Sequence, residues 1–228
     1  MPLFAMRFDL LSIFPESFES YFQASILRRA QDAGLISIAT HDIRAFTTDK
    51  HQKTDDTPYG GGAGMVMKIE PIDRALESIG AKSGTSGTRI ILLSAKGKRF
   101  DQAKARELAT CDRIVLLSGR YEGVDERVAE HLIDEELSIG DFVLTGGELG
   151  SMVIVDAVAR LLPGVLGNEA SAVGESFSVG ETVEFPQYTK PEVYRDWSVP
   201  SVLLSGNHAE IEAWRTSCSE ENTAKRHG

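Results

Sequence analysis

Glycines that could form a ligand-binding surface concentrate in the middle of the chain. Ten of the 21 glycines lie between residues 119 and 180, most of them in the segments GRYEG (119–123), SIGDFVLTGGELG (138–150) and LLPGVLGNEASAVG (161–174). A glycine lets backbone N–H and C=O groups approach a ligand closely, especially where it follows a strand of an open α/β sheet. Tight turns are the alternative explanation for glycines at these positions.

The charge around these glycines limits the kind of ligand they would bind. The surrounding residues are acidic: Glu122, Asp125, Glu126, Asp134, Glu135, Glu136, Asp141 and Glu148. Such a site repels phosphates, and the sequence has neither a P-loop (GxxxxGK[ST]) nor a strand-linked GxGxxG dinucleotide motif. The pattern favours a cationic or neutral ligand that carries an adenosine-like ring.

Two further segments have reactive side chains at positions where they could act on a substrate. The segment 55–68 (DDTPYGGGAGMVMK) has four glycines and the carboxylates of Asp55 and Asp56, which a flexible loop could carry over a substrate. The alternative interpretation of this segment is a surface hairpin without a catalytic role. Arg160 follows Asp156 by four residues on an apolar helix, so the two form either a helix ion pair or a guanidinium held for use in a pocket.

Apolar runs and helical stripes alternate along the chain and predict the elements that position these residues. Strands are expected at 6–13, 35–40, 89–94, 113–117 and 133–139, and helices at 16–32, 71–79, 101–109, 124–130, 147–162 and 207–214. Residues 44–67 are expected to be a long functional loop. This alternation predicts an α/β fold with a parallel sheet. The chain is predicted to divide into a main domain (1–163), a linker (164–186) and a small C-terminal unit (187–228).

Composition excludes several classes of protein. The chain has 228 residues, 42% of them hydrophobic, and a formal net charge of −10, which is typical of a globular protein. No apolar run reaches the roughly 20 residues that span a bilayer, so no membrane association is predicted. The two cysteines form no metal-binding or disulfide pattern, so we predict no metal ligands and a cytoplasmic protein with reduced thiols.

Six motifs, in this order and spacing, resemble one family. They are SIFPE (12–16), DDTPYGGGAGMVM (55–67), SGRYEGVDERV (118–128), SIGDFVLTGGEL (138–149), RLLPGVLGNEAS (160–171) and PSVLLSGNHAEI (200–211). The chain resembles the bacterial tRNA (guanine-N1)-methyltransferases of the TrmD family, in the SPOUT superfamily, from about Met6 to Arg215. Residues 1–5 precede the resemblance and are interpreted as an extension or an annotation artefact.

The resemblance implies a fold that the spacing alone does not predict. It implies a SPOUT-type parallel sheet whose C-terminal part (about 89–163) forms a deep trefoil knot, in an obligate homodimer. Residues 187–228 would be a small helical domain that binds tRNA. The basic stretch 96–106 is a second candidate for contact with tRNA, the alternative being a solvated helix and loop surface.

The resemblance also implies the reaction, which is methylation of N1 of the guanosine next to the anticodon on its 3′ side (position 37), with S-adenosylmethionine as methyl donor and Mg²⁺ as a candidate second cofactor. A catalytically weak relative that binds donor and tRNA is one alternative, and a methyltransferase acting on a small molecule is another. By family motif, the donor would be bound by Leu92, Leu93, Ser94, Gly119, Tyr121, Glu122, Gly123, Ile139, Gly140, Asp141, Phe142, Val143, Leu144, Gly146 and Gly147.

The resemblance assigns the catalytic roles to two residues. Arg160 would stabilise negative charge on O6 of the guanine, and the base that removes the N1 proton would be Glu175, with Asp55 or Asp56 as the second choice. Glu175 stands where the family usually has an aspartate. Three further departures are Leu92 for a tyrosine, Ala95 for a proline, and a C-terminal tail (SCSEENTAKRHG) that is shorter and less basic than usual.

Overall fold

The computed structural model describes residues 5–167, 175–178 and 180–227. The chain divides into two compact units, Met1–Gly167 and Asn168–Gly228, which are described separately.

A five-stranded parallel sheet forms the centre of the first unit. Its strands are β1 (Met6–Ser12), β2 (Ile36–Asp42), β5 (Thr88–Arg99), β6 (Arg113–Ser118) and β7 (Glu135–Ser138), in the order β2-β1-β6-β5-β7. The central strand β6 has the sequence RIVLLS and is buried along almost its whole length, as expected for a parallel sheet covered on both faces. The predicted parallel α/β fold is confirmed.

In the described part of the first unit, six α-helices cover the two faces of this sheet. They are α1 (Glu19–Phe22), α2 (Ser25–Asp32), α3 (Ile69–Ser78), α4 (Gln102–Leu108), α5 (Glu126–His131) and α6 (Glu148–Ala159). Helices α1, α2, α4 and α6 pack into one apolar core, and α3 and α5 pack into a second core on the opposite face. None of the helices in the described part of the chain is long and apolar enough to cross a membrane.

Three segments differ from their sequence-based predictions. The stripe at 16–32, predicted as one helix, is a 3-10 turn (Pro15–Phe18) followed by α1 and α2, because Ser25 has a φ of 48° and interrupts the helix. Strand β5 runs past the predicted end at residue 94 to Arg99. Within the predicted loop 44–67, Asp55–Asp56 (β3) pairs with Val66–Met67 (β4) as a short antiparallel hairpin.

A buried carboxylate joins three strands in the amino-terminal half of the sheet. Asp9 on β1 is 0% exposed and accepts hydrogen bonds from Arg7 Nε (2.8 Å), Arg113 Nε (2.7 Å) and His41 Nε2 (2.7 Å). Burial alone would raise the pKa of Asp9, but the hydrogen bonds from His41, Arg7 and Arg113 outweigh it and hold the pKa well below its usual range. This cluster connects β1, β2 and β6.

The second unit is small, and most of its regular secondary structure is helical. It contains the hairpin β8 (Val193–Tyr194) and β9 (Trp197–Ser198), a short helix α7 (Ser201–Leu204) and α8 (His208–His227). Helix α8 is longer than the predicted helix at 207–214. Part of the predicted linker packs on it, since Val183 N donates to Thr223 Oγ1 (2.9 Å) and Ser219 Oγ donates to Val183 O (2.5 Å). The domain limits inferred from sequence stay predictions.

Candidate active site

A cavity of the first unit opens where β6 and β7 end and where β5 is no longer paired with β6. Its volume is about 420 Å³, within the range of sites that bind small molecules. Three segments form its walls: 92–96 of β5, the loop 119–124 after β6 and the loop 139–147 after β7. This is the carboxyl edge of a parallel sheet, where open α/β folds bind ligands.

The structure brings the predicted donor-binding residues together. All of them except Asp141 line this one cavity, although they come from three separate parts of the sequence. Asp141 lies outside the lining, and its carboxylate is 4.0 Å from Arg99 Nη1 on the surface. The structure shows proximity, and the role of these residues in binding the donor stays a prediction.

Helix α6 begins so close to the sheet that only glycine fits there. A Cβ at Gly147 would lie 2.8 Å from Ser118 Cα and 2.9 Å from Leu93 Cβ, which is closer than carbon atoms pack. The Gly147 amide instead donates to Gly119 O (2.9 Å), and Ser151 Oγ lies 3.0 Å from Ser118 Oγ one turn later. Close packing at Gly147 therefore joins the loop after β7 to the end of β6.

The charged side chains in the lining carry a small net negative charge. Glu122, Glu126 and Glu136 contribute carboxylates, and Lys96 and Arg120 contribute positive charges. Lys96 Nζ donates to Glu126 Oε2 (2.7 Å), and this hydrogen bond raises the pKa of Lys96. Negative charge around a cavity of this size favours a cationic ligand over a phosphate-bearing one.

A buried ion pair lies directly behind the cavity wall. The Glu148 carboxylate is 3% exposed and accepts hydrogen bonds from Ser12 Oγ (2.5 Å) and Arg120 Nε (3.1 Å). Arg120 lines the cavity, donates from Nη1 to Thr145 O (3.3 Å), and lies over the Phe14 ring with Cζ 4.8 Å from its centroid. From the sequence, Glu148 is only one of the acids around the glycines, and no pattern singles out Arg120.

The predicted catalytic residues lie outside this lining. Asp55 is on the β3–β4 hairpin, which is joined to the loop after β6 by the hydrogen bonds from Glu122 N to Met65 O (3.0 Å) and from Met67 N to Gly123 O (2.9 Å). This hairpin is therefore a neighbour of the cavity wall.

Arg160 follows the last residue of α6 and is half-buried. Its backbone N–H donates to Asp156 O (3.2 Å), but the Asp156 carboxylate accepts a hydrogen bond from the Tyr21 hydroxyl, which raises the pKa of Tyr21. Glu175 belongs to the second unit and is half-buried there. The roles of Arg160 and Glu175 stay predictions.

Comparison with known proteins identifies the family. A model of the family described as tRNA (Guanine-1)-methyltransferase TrmD matches residues 6–228. The chain belongs to this family. The resemblance drawn from the motifs is confirmed, and the TrmD match reaches beyond Arg215, where the motif-based resemblance ended. It begins at residue 6, as that resemblance does.

Individual members of the TrmD family are similar along nearly the whole chain. A protein of Dehalococcoides mccartyi is 52% identical over 97% of this chain and 88% of its own length. Relatives from Geotalea uraniireducens (53%, covering 96% and 87%) and Carboxydothermus hydrogenoformans (52%, covering 97% and 85%) are as close. All three carry the name tRNA (guanine-N(1)-)-methyltransferase.

Among the side chains that the structure describes, no group of three or more His, Cys, Asp and Glu residues could hold a metal ion. Mg²⁺ stays a prediction that comes from the resemblance alone.

Proposed function

We propose that this chain transfers a methyl group from S-adenosylmethionine to N1 of the guanosine at tRNA position 37. The observation that carries the proposal is the family match over residues 6–228, together with relatives above 50% identity that are named for this activity. Those names support an active enzyme rather than a weak tRNA-binding relative. Since tRNA is the proposed substrate, we place the activity in the cytoplasm.

The cavity is suited to this methyl donor. S-adenosylmethionine is a sulfonium cation. The cavity has a volume of about 420 Å³, its lining has three glutamates against one lysine and one arginine, and two of its three wall segments are glycine-rich. Backbone N–H and C=O groups of 92–94, 119–123 and 139–147 would read the adenine and the ribose, and Glu122, Glu126 and Glu136 would provide the negative potential. When bound there, the donor supplies an electrophilic methyl group.

Two side chains would then act on the guanine. N1 carries a proton at neutral pH, and the carboxylate of Glu175 would accept it, so that an electron pair on N1 could form the bond to the methyl carbon. The bond from that carbon to the donor sulfur would break at the same time, with its electron pair staying on sulfur and S-adenosylhomocysteine leaving. The negative charge that this leaves on O6 would be stabilised by the Arg160 guanidinium. Asp55 and Asp56, on the hairpin beside the cavity wall, are the second choice for the base.

The TrmD family fold would be a SPOUT knot, and the packing around Gly147 supports it. After β7 the chain contacts the ends of two earlier strands: residue 147 packs against Leu93 of β5 and Ser118 of β6, and residue 146 forms an isolated antiparallel bridge with Arg120. In a trefoil knot a later segment passes through an earlier loop, so close contact of this kind is expected there.

A homodimer is supported by exposed apolar side chains next to the cavity. On α6, Leu149 and Val153 are one turn apart and are 57% and 45% exposed, and on the cavity loop Val143 is 90% exposed. Exposed apolar patches of this kind mark interaction sites. We propose that a second copy of the chain covers them, and sedimentation velocity at micromolar concentration should give the mass of a dimer.

The proposed reaction is tested by incubating the protein with labelled S-adenosylmethionine and a transcript tRNA that has G37. Nuclease digestion and mass spectrometry should detect 1-methylguanosine, and a matched transcript with A37 should give none. Methyl transfer to a small molecule without tRNA, or donor binding without turnover, would contradict the proposal and favour one of the alternatives.

The assignment of the base is tested with Glu175→Gln. Loss of a general base costs about 10²–10⁴-fold in rate, so turnover should fall by that factor while donor affinity stays the same. Glu175→Asp serves as the matched control and should retain measurable turnover. Near-normal turnover of Glu175→Gln would indicate that Asp55 or Asp56 is the base instead. Replacing each of these two aspartates by asparagine would then identify which one it is.

A further inference from the structure

We propose that Glu148 is a positioning residue: its buried carboxylate holds the Arg120 guanidinium in the cavity wall and so fixes the loops after β6 and β7 against each other. The inference depends on the proposed function only for the identity of the ligand.

The burial of Glu148 shows that its charge is compensated. The residue is 3% exposed, and its two recorded partners are Ser12 Oγ at 2.5 Å and the Arg120 guanidinium at 3.0 to 3.1 Å. A carboxylate taken out of water is strongly destabilising unless it is paired and hydrogen-bonded. Ser12 ends β1 and Glu148 begins α6, so this carboxylate joins the sheet, the helix and the loop after β6 at one point.

Arg120 extends this connection across the cavity wall. It belongs to the loop 119–124, and its Nη1 donates to the carbonyl of Thr145, in the loop 139–147. Gly146 leaves room for the pair, since a Cβ at that position would overlap the Arg120 side chain and lie 2.5 Å from Glu148 Oε2. One guanidinium therefore connects the two loops that form most of the glycine-rich lining.

Glu148 itself is absent from the cavity lining, whereas Arg120 and Thr145 are part of it. Glu148 must therefore influence a ligand through Arg120. Its loss should loosen the two loops and weaken donor binding without removing any group that the ligand touches. In turnover, the donor KM should rise while the KM for tRNA stays the same.

The decisive variant is Glu148→Gln, which keeps the shape and removes the charge. Its dissociation constant for S-adenosylhomocysteine, measured by calorimetry, should rise about tenfold, because a hydrogen bond to a charged group is replaced by a weaker neutral one. In the protein without ligand, the amides of 119–123 and 139–147 should exchange hydrogen faster than in the parent. The exchange measurement needs no ligand.

Asp9→Asn is the matched control, since Asp9 is also a buried carboxylate paired with arginine but lies away from the cavity. It should lower the melting temperature and leave both donor affinity and loop exchange unchanged. If Asp9→Asn does not fold, Arg7→Gln serves as the control instead, because it removes one of the three residues that donate hydrogen bonds to Asp9. The double variant Arg120→Gln/Glu148→Gln should bind the donor no worse than the weaker of its two single variants, because the two residues act as one unit.

The outcomes separate the two proposals. If Glu148→Gln matches the parent in affinity and exchange, or if the control variant weakens binding as much, Glu148 has only a structural role and the inference is wrong. If the parent itself does not bind S-adenosylhomocysteine, the proposed donor is wrong, and the exchange of the two loops still decides the role of Glu148.

Discussion

Two buried carboxylates, Asp9 on the sheet and Glu148 at the start of α6, are paired with arginine, yet they lie in different structural surroundings. Asp9 is bonded to side chains of β1, β2 and β6, all of which are fixed in regular strands. Glu148 is bonded to the end of β1 and to Arg120, which lies in a loop of the cavity wall. The same chemistry should therefore stabilise the fold at Asp9 and shape a binding site at Glu148.

The largest expected effect is on stability at Asp9. Asp9→Asn removes the charge that three donors share inside the sheet, and breaking a buried ion pair costs about 3–5 kcal/mol. The free energy of unfolding, measured with urea, should fall by about that amount. The affinity for S-adenosylhomocysteine should stay within about twofold of the parent value. A loss of about 1.4 kcal/mol in binding free energy would instead change it tenfold.

If donor affinity fell together with stability, the two carboxylates would not be functionally distinct, and the contrast between the regions would disappear. The urea midpoint and the calorimetric titration should be measured on the same preparation, so that partial unfolding is not mistaken for weak binding.

A smaller effect is expected from the close approach of α6 to the sheet. Gly147→Ala places a methyl group 2.8 Å from Ser118 Cα, and overpacking of this kind costs about 1–3 kcal/mol. Because residues 146 and 147 also line the cavity, donor affinity should fall together with stability, unlike at Asp9.

Gly167→Ala is the control for this prediction, since a Cβ there would meet no heavy atom within 4 Å. It should change neither stability nor affinity. An equal response of the two variants would show that the close approach at Gly147 does not constrain the site.

Removal of one neutral donor from the Glu148 cluster should have a smaller effect still. Ser12→Ala deletes the hydroxyl that donates to Glu148 Oε1 but leaves the charge pair with Arg120 in place. Loss of a hydrogen bond to a buried charged group costs about 1.5–3 kcal/mol when that group is left without a partner. The cost should be lower here, because Arg120 remains paired with Glu148. Donor affinity should therefore fall by less than in Glu148→Gln, which titration of both variants will test.

Much of the fold could be predicted because parallel strands have a simple signature. Strands such as RIVLLS (113–118) are apolar runs, and all five strands of the sheet are expected from the sequence near their observed positions. The continuation of β5 through residues 96–99 was not predicted, because KGKR is polar and its pairing with β7 depends on a bulge between Leu93 and Lys98. The break at Ser25 was also missed, since a serine with positive φ has no distinctive sequence pattern.

The candidate site could be predicted only in part from the sequence. Its glycine-rich segments can be recognised, and the resemblance to a family assigns individual residues to them. The pairing of Arg120 with Glu148 was not visible, because the two are 28 residues apart and several other arginines could have been partners. Charge counting places Glu148 among the acids that surround the ligand site, whereas the fold buries it behind the cavity wall.

Acidification offers the mildest test of the difference between the regions. The folded-state pKa of Asp9 lies well below the unfolded value of about 3.9, so its contribution to stability is complete above that value and is lost as pH falls below it. Below about pH 5, the unfolded chain begins to take up a proton that the folded chain does not. The difference in unfolding free energy between the parent and Asp9→Asn should therefore shrink between pH 5 and about pH 3. Urea titrations at pH 7, 5, 4 and 3 measure it, and a difference that stays constant over this range would mean that the interactions with Arg7, His41 and Arg113 do not depend on the charge of Asp9.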